Sequence, residues 1–207
     1  MPSASVQPQI CFDPVTREER ERRRPHHGAV VWLTGLSGAG KSTLAGALER
    51  VLFDRDYRVI VLDGDVIRTG LNADLGFSMN DRVENIRRIG EVAALFADAG
   101  FIVITASISP YVADRQRARR RVMELNLETR FVEVFVDAPL GVCESRDPKG
   151  LYRKARAGEI ARFTGVSDPY EPPSNPEVTI KTAERSLAEC VEQVLENLSL
   201  DRQPPMA

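Results

Sequence analysis

The stretch Gly35–Thr43 reads GLSGAGKST and fills every required position of the pattern G-x-x-x-x-G-K-[ST]. Gly35, Gly38 and Gly40 let backbone N–H groups turn inward around anionic oxygens, with Leu36, Ser37, Ala39 and Thr43 completing the loop. Lys41 reaches the β and γ oxygens of a triphosphate, and the Ser42 hydroxyl suits a magnesium ion. A glycine-rich turn can be merely structural. Here a strand pattern precedes it and a helix pattern follows, which is the setting of a nucleoside-triphosphate cradle. Such a cradle works beside a carboxylate, and LDGDVIR (62–68) offers Asp63 and Asp65 on either side of Gly64, with Arg68 after them. Asp63 suits either orienting a magnesium-bound water or taking the proton of an acceptor hydroxyl; a plain Asp-Gly turn is the alternative. Asp65 and Arg68 are placed to meet the acceptor.

The neighbouring strand end behaves differently. GFIVITASISPY (100–111) closes on Thr105, Ser107 and Ser109, which are hydroxyls without an acid. In LGFSMNDRVENIRR (75–88), Arg82 and Asn85 share a helix face near its N-terminus, a place suited to an anion. Phe77 stands just before that helix, either as a hydrophobic staple or as a ring on which a base stacks. SRDPKGLYRKARAGEIARFTG (145–165) carries Arg146, Lys149, Arg153, Arg156 and Arg162, and then Phe163. Helical spacing places Lys149, Arg153 and Arg156 on one face. The run is either a solvated basic helix or, with Gly150, Gly158 and Gly165 as hinges, a mobile basic lid that closes over phosphates.

These groups need a scaffold, and the chain alternates strand and helix patterns. Strands are expected over 28–34, 57–63, 100–105, 130–137 and 177–181, most of them nearly continuous in Val and Ile, as in strands buried on both faces. Helices are expected over 41–53, over 78–100 with Ser78 and Asp81 as a capping box, and over 186–198 with Leu187, Val191, Val194 and Leu198 on one stripe. The result is a three-layer α/β domain over 28–200 around a five-stranded, mainly parallel sheet. A proline-rich arm containing TREERERRR occupies 1–27, and 201–207 form a tail.

Composition narrows the field. The chain has 207 residues, 43% hydrophobic and 28% charged, with a net charge of −2, so no global charge points to nucleic acid or a membrane surface. No apolar run approaches the roughly 20 residues of a membrane helix. Cys11, Cys143 and Cys190 are odd in number and widely spaced, which suits reduced thiols in a cytoplasmic protein rather than a metal site.

Taken in order from about Gly28 to Thr182, GLSGAGKST, LDGDVIR, GFSMNDRVENIRR, ISPY, FVDAPLGVCESRDPKGLYRKARAGEIARFTG and DPYEPP closely resemble the adenylylsulfate kinase family. The resemblance implies a P-loop kinase that moves the γ-phosphate of ATP, with Mg2+, to the 3′-hydroxyl of adenosine 5′-phosphosulfate (APS). It implies that Asp65, Arg68, Arg82, Asn85, Ile108, Ser109 and Lys149 hold the acceptor, that Phe77 and Phe163 sandwich its adenine, and that Arg162 lies nearby. Arg146 and the backbone near Arg185 fall to the ATP adenine. It marks Ser109 as a position that can carry phosphate, alongside Lys41 and Asp63 as catalytic candidates. The lack of a local base favours direct transfer, with Ser109 mainly an acceptor contact. It also implies a homodimer; a separate ATP sulfurylase is a candidate partner on which the sequence does not decide. Val66 stands where Asn is common and Val83 where Lys or Glu is common, and neither removes a group the chemistry needs. The competing readings are another small-molecule kinase of the same fold and a non-catalytic nucleotide sensor. Two stacking rings argue against a sugar kinase, and intact Lys41, Ser42 and Asp63 argue against a sensor.

Overall fold

The computed structural model describes residues 26–125, 129–198 and 200, together with 15, 16 and 19. Most of the arm expected over 1–27, with Cys11, and the whole tail expected over 201–207 lie outside those residues. β1 (Ala29–Thr34) takes the centre of the sheet because AVVWLT offers no charge, and all of it is buried. Around it the order is β2 (Val59–Asp63), β3 (Ile102–Ala106), β1, β4 (Arg130–Asp137) and β5 (Val178–Lys181). Every pairing is parallel, so the sheet expected to be mainly parallel is wholly so. The connections run through α1 (Lys41–Asp54), α2 (Gly64–Thr69), α3 (Met79–Asp98), α4 (Val112–Leu125), α5 (Leu140–Arg146), α6 (Leu151–Arg156) and α7 (Leu187–Leu198).

Side-chain alternation along β1 divides the core in two. Val31 and Leu33 join one cluster with Leu44, Leu48 and Leu52 of α1 and Val191, Val194 and Leu198 of α7. Val30 and Trp32 join the other, with Ile86 and Ile89 of α3 and Ala118 and Val122 of α4. Each fully buried large side chain contributes about 1.5–3 kcal/mol. Thus α1 leaves β1 on one face while α4 leaves β3 on the other. A crevice opens between the carboxyl ends of these neighbouring strands, the usual ligand position of an open α/β sheet. Among the described residues, no helix is long and apolar enough to cross a membrane, and Cys143 and Cys190 are buried free thiols.

Three local expectations need correction. The helix α4 was not anticipated, because its inward stripe is Asp114, Arg115, Ala118 and Val122 and two charges interrupt the apolar period. The basic segment 145–165 is not one helix. α5 stops at Arg146, and Asp147 then accepts the N–H groups of Tyr152 and Arg153 at 3.1 Å each, capping a separate α6. Pro148 and the left-handed Gly150 (φ 64°) enforce the break, so Lys149 shares no helix face with Arg153 and Arg156. Leu187, expected on the buried stripe of α7, is 43% exposed at its first turn, and Cys190 takes the inward place instead. The capping box of α3 forms as expected: Ser78 Oγ accepts from Asp81 N at 3.2 Å and Asp81 Oδ2 accepts from Ser78 N at 3.1 Å.

Candidate active site

The loop between β1 and α1 is held open by its surroundings. Gly38 has φ 75°, and a Cβ there would meet the Cys143 carbonyl oxygen at 2.8 Å, so no larger residue fits without moving backbone. Lys41 folds back over the loop and donates to the carbonyls of Gly35 at 2.9 Å and Leu36 at 2.7 Å. It is almost wholly buried, and burial lowers its pKa from 10.5 to about 8. An ammonium in this position gains strongly when phosphate oxygens replace neutral carbonyls. Arg146 braces the loop from outside, donating to the carbonyls of Gly38 at 3.3 Å and Thr182 at 2.9 Å. Arg185 is on the same rim, with its guanidinium on Gln193 at 2.9 Å.

Asp63 ends β2 and caps α2, its Oδ1 accepting from Asp65 N at 2.9 Å. Its other oxygen accepts the Ser42 hydroxyl proton at 2.6 Å. The two hard oxygen ligands expected for magnesium are therefore side by side at the mouth of the cradle. Among the described residues there is no cluster of three metal-ligating side chains. Asp65 meets Lys149 in an ion pair that ties the segment after α5 to the first turn of α2.

Beyond these carboxylates the cavity is lined by a second group of residues. Arg68 donates to the Gly76 carbonyl at 3.0 Å and lies 4.5 Å from the centre of the Phe77 ring. Burial, and after it the like charge of Arg82, lower the Arg68 pKa. Two cations gathered in this way leave room for an anion. The position four residues into α3 is Arg82, whose Nε bonds the Phe77 carbonyl at 3.0 Å, so no apolar staple forms and Phe77 remains 62% exposed on the rim. Arg82 also clasps the 162–168 loop through the Arg162 carbonyl at 2.9 Å, the Thr164 hydroxyl and the Asp168 carboxylate at 3.2 Å. Phe163 is buried with its ring 4.9 Å from that of Tyr152, at 81°.

Ser109 adopts a left-handed backbone (φ 41°), unusual for a residue with a Cβ, and its hydroxyl accepts from Trp32 Nε1 at 3.1 Å. The strain is held by Arg115, which donates to the Ser109 carbonyl at 2.8 Å, the Glu133 carboxylate at 2.6 Å and the Glu171 carbonyl at 2.9 Å.

All the sequence-predicted site residues except Gly35, Leu36, Ala39 and Asp63 line one cavity of about 860 Å³, and those four sit in or against its loops. Sequence reasoning missed Tyr152, whose hydroxyl donates to the Ser37 carbonyl at 2.9 Å and so pins α6 to the cradle. It also missed Thr182, which donates to the Ala39 carbonyl at 2.7 Å, and Arg115. An isolated Tyr, Thr or Arg carries no spacing signal, and only the fold brings them to the loops they hold.

Comparison with known proteins places this geometry. The sequence profile described as adenylylsulphate kinase matches residues 27–181. The adenylyl-sulfate kinase of Acaryochloris marina is 58% identical over 184 residues, covering 89% of this chain and 88% of that protein. That of Marinobacter nauticus is 55% identical over 181 residues, covering 87% and 89%. Among solved structures, the Mycobacterium tuberculosis APS kinase CysC in complex with AMPPNP and APS superposes with a TM-score of 0.81 at 50% identity, over 84% of this chain and 99% of that one. With the profile spanning most of the domain and relatives identical at more than half their positions, the chain belongs to the adenylylsulphate kinase family.

Proposed function

We propose that this protein transfers the γ-phosphoryl group of ATP to the 3′-hydroxyl of adenosine 5′-phosphosulfate, giving 3′-phosphoadenosine 5′-phosphosulfate and ADP. The observation that carries the reading is a single cavity whose two halves differ in kind. One is a backbone cradle with Lys41 and Ser42, backed by Asp63 on the Ser42 hydroxyl, and the other holds Arg68, Arg82, Asn85 and two aromatic rings. In the transfer a bond forms between the acceptor 3′-oxygen and Pγ, the bond from Pγ to the β,γ-bridging oxygen breaks, and the hydroxyl proton leaves through Asp63 or solvent. The protein's work is alignment and charge compensation. Lys41 exchanges its two carbonyl partners for phosphate oxygens. Ser42 and Asp63 would hold Mg2+, which would supply neutralisation of phosphate charge. Arg68, Arg82, Asn85 and Lys149 orient the phosphosulfate and ribose, with Arg162 and the Ile108 backbone beside them. Phe77 and Phe163 take the acceptor adenine, while Arg146 and Arg185 take that of ATP.

The environment of Ser109 supports direct transfer. The residue is 1% exposed, and its hydroxyl accepts an indole N–H with no base among its hydrogen-bond partners in the described residues. Such a hydroxyl is a poor nucleophile. Family resemblance adds two partner proposals, a homodimer and a separate cytoplasmic ATP sulfurylase supplying the acceptor, to be tested by light scattering and co-purification. The central experiment is a coupled ADP-release assay with ATP and magnesium. Adenosine phosphosulfate is expected to be turned over and simple nucleosides and sugar acids ignored. Equal turnover of a sugar acid would overturn the assignment.

A further inference from the structure

We infer that Asn72 is a positioning residue for the acceptor half of the cavity, setting the Asn85 amide so that Nδ2, and not Oδ1, faces the ligand. The inference rests on the functional reading above for the identity of that ligand. Asn72 lies in the turn after α2, wholly buried, with its backbone N–H on the Ile67 carbonyl at 2.9 Å. Its side-chain Nδ2 is 3.0 Å from Asn85 Oδ1 and 3.5 Å from the Asn85 backbone oxygen.

The direction of this pair follows from its surroundings. The Asn85 backbone oxygen, 3.5 Å away, can only accept, so it favours the donor end of Asn72 over its oxygen. Once that donor is in place, the Asn85 side chain must answer with Oδ1, because its Nδ2 would set two donors against each other. Turning the Asn72 amide over would point its oxygen at two oxygens. The cost of this polarity is visible, since Asn72 Oδ1 is buried without a hydrogen-bond partner, an arrangement that cores usually avoid. What it secures lies one residue further out. Asn85 Nδ2 makes no hydrogen bond among the described residues, and Asn85 lines the cavity beside Arg82. The acceptor half therefore presents a fixed N–H donor, which selects an oxygen on the ligand, a sugar hydroxyl or a phosphate oxygen, and disfavours a group that can only donate.

The test is steady-state kinetics with ATP and adenosine phosphosulfate. Asn72→Leu, which keeps the volume and removes the donor, is expected to raise KM for the acceptor about tenfold, with kcat and KM for ATP within about twofold. In an Asn85→Ala background the same substitution should add nothing, because its effect passes through Asn85. Asn72→Asp supplies a second signature. Its protonated carboxyl can donate as the amide does, and its ionised form cannot, so acceptor KM should climb with pH more steeply than in the unsubstituted protein. An undiminished effect of Asn72→Leu in the Asn85→Ala background, or one shared equally with ATP, overturns the proposal. Side-chain amide hydrogen exchange on the unsubstituted, ligand-free protein decides the geometry without any activity. Slow exchange at Asn72 Nδ2 with fast exchange at Asn85 Nδ2 supports it, and the reverse order sinks it. Failure of the unsubstituted chain to use adenosine phosphosulfate would count against the functional reading alone.

Discussion

Lys41 carries a pKa of about 8 because its ammonium has lost water, and this has a kinetic consequence. Above that pH the free protein holds a neutral lysine where the triphosphate charge must be met. The value of kcat/KM for ATP is expected to fall as pH rises through about 8, whereas kcat at saturating ATP should hold to higher pH, because bound phosphate favours the protonated form. Stability runs the other way: between about 8 and 10.5 the unfolded chain keeps a proton that the folded one has lost, so this residue's contribution grows with pH across that window. Lys41→Ala should abolish the alkaline limb and lower turnover by at least about two orders of magnitude. Persistence of the limb in that variant would assign it to another group. Ser109→Ala tests a different effect. It leaves the buried Trp32 N–H without its acceptor, at about 1–3 kcal/mol, and should retain measurable turnover with a raised acceptor KM. Loss of turnover with both substrates still bound, and a kinetically competent phosphoserine in the native protein, would show a covalent route.

At the scale of elements, the two candidate stacking rings are carried differently. Phe77 precedes α3 and is 62% exposed, whereas Phe163 is buried against Tyr152 of α6. Phe163→Ala therefore mixes lost binding with a core cavity worth about 3–5 kcal/mol. Phe77→Ala is the cleaner probe: stability should change by less than about 0.5 kcal/mol, while acceptor affinity falls about tenfold or more. Calorimetry that found ATP binding weakened and acceptor binding intact would place the ring in the other half of the cavity. The segment from α5 to the 162–168 loop is fastened at four points: the Tyr152 hydroxyl on Ser37, Lys149 on Asp65, Arg146 on Thr182, and Arg82 on Thr164 and Asp168. The fastenings land on the cradle loop at Ser37, the first turn of α2 at Asp65, the turn after β5 at Thr182 and α3 at Arg82, so the segment ties both ends of the cavity together.

Across the whole molecule, Arg115 joins parts that are far apart in sequence. From α4 it reaches β4 at Glu133, the turn after β3 at Ser109, and the Glu171 carbonyl, with 2% of its side chain exposed. Removing it leaves the Glu133 carboxylate, 13% exposed, with only the more distant Arg119 at 3.8 Å among the described residues. Arg115→Ala should cost about 3–5 kcal/mol in urea denaturation, since one charge of a buried pair remains. A loss below about 1 kcal/mol would show that solvent or Arg119 takes over the role. The same variant should raise acceptor KM more than ATP KM, because the strained Ser109 turn borders the acceptor half.

Much of this protein is legible in its sequence. The cradle Gly35–Thr43 is local chemistry: glycine conformations, a lysine and a hydroxyl at fixed offsets on a strand–turn–helix, so its residues suffice to specify it. The buried strands and α3 with its capping box are likewise set by short-range periodicity and by side chains that bond within a turn. α4 was not legible, because tertiary pairing satisfies two charges on its inward face and so erases the apolar period. The split between α5 and α6 depends on the Asp147 carboxylate turning back onto two N–H groups, a choice that spacing alone does not reveal. Which hydroxyl of the β3 end faces inward, and which end of Asn85 faces the cavity, follow from contacts with Trp32 and Asn72. Those partners stand 77 and 13 residues away. Sequence determines the groups available to bind phosphate and acceptor. The tertiary structure decides their direction, because a hydrogen-bond donor is aimed by whatever satisfies the rest of its residue.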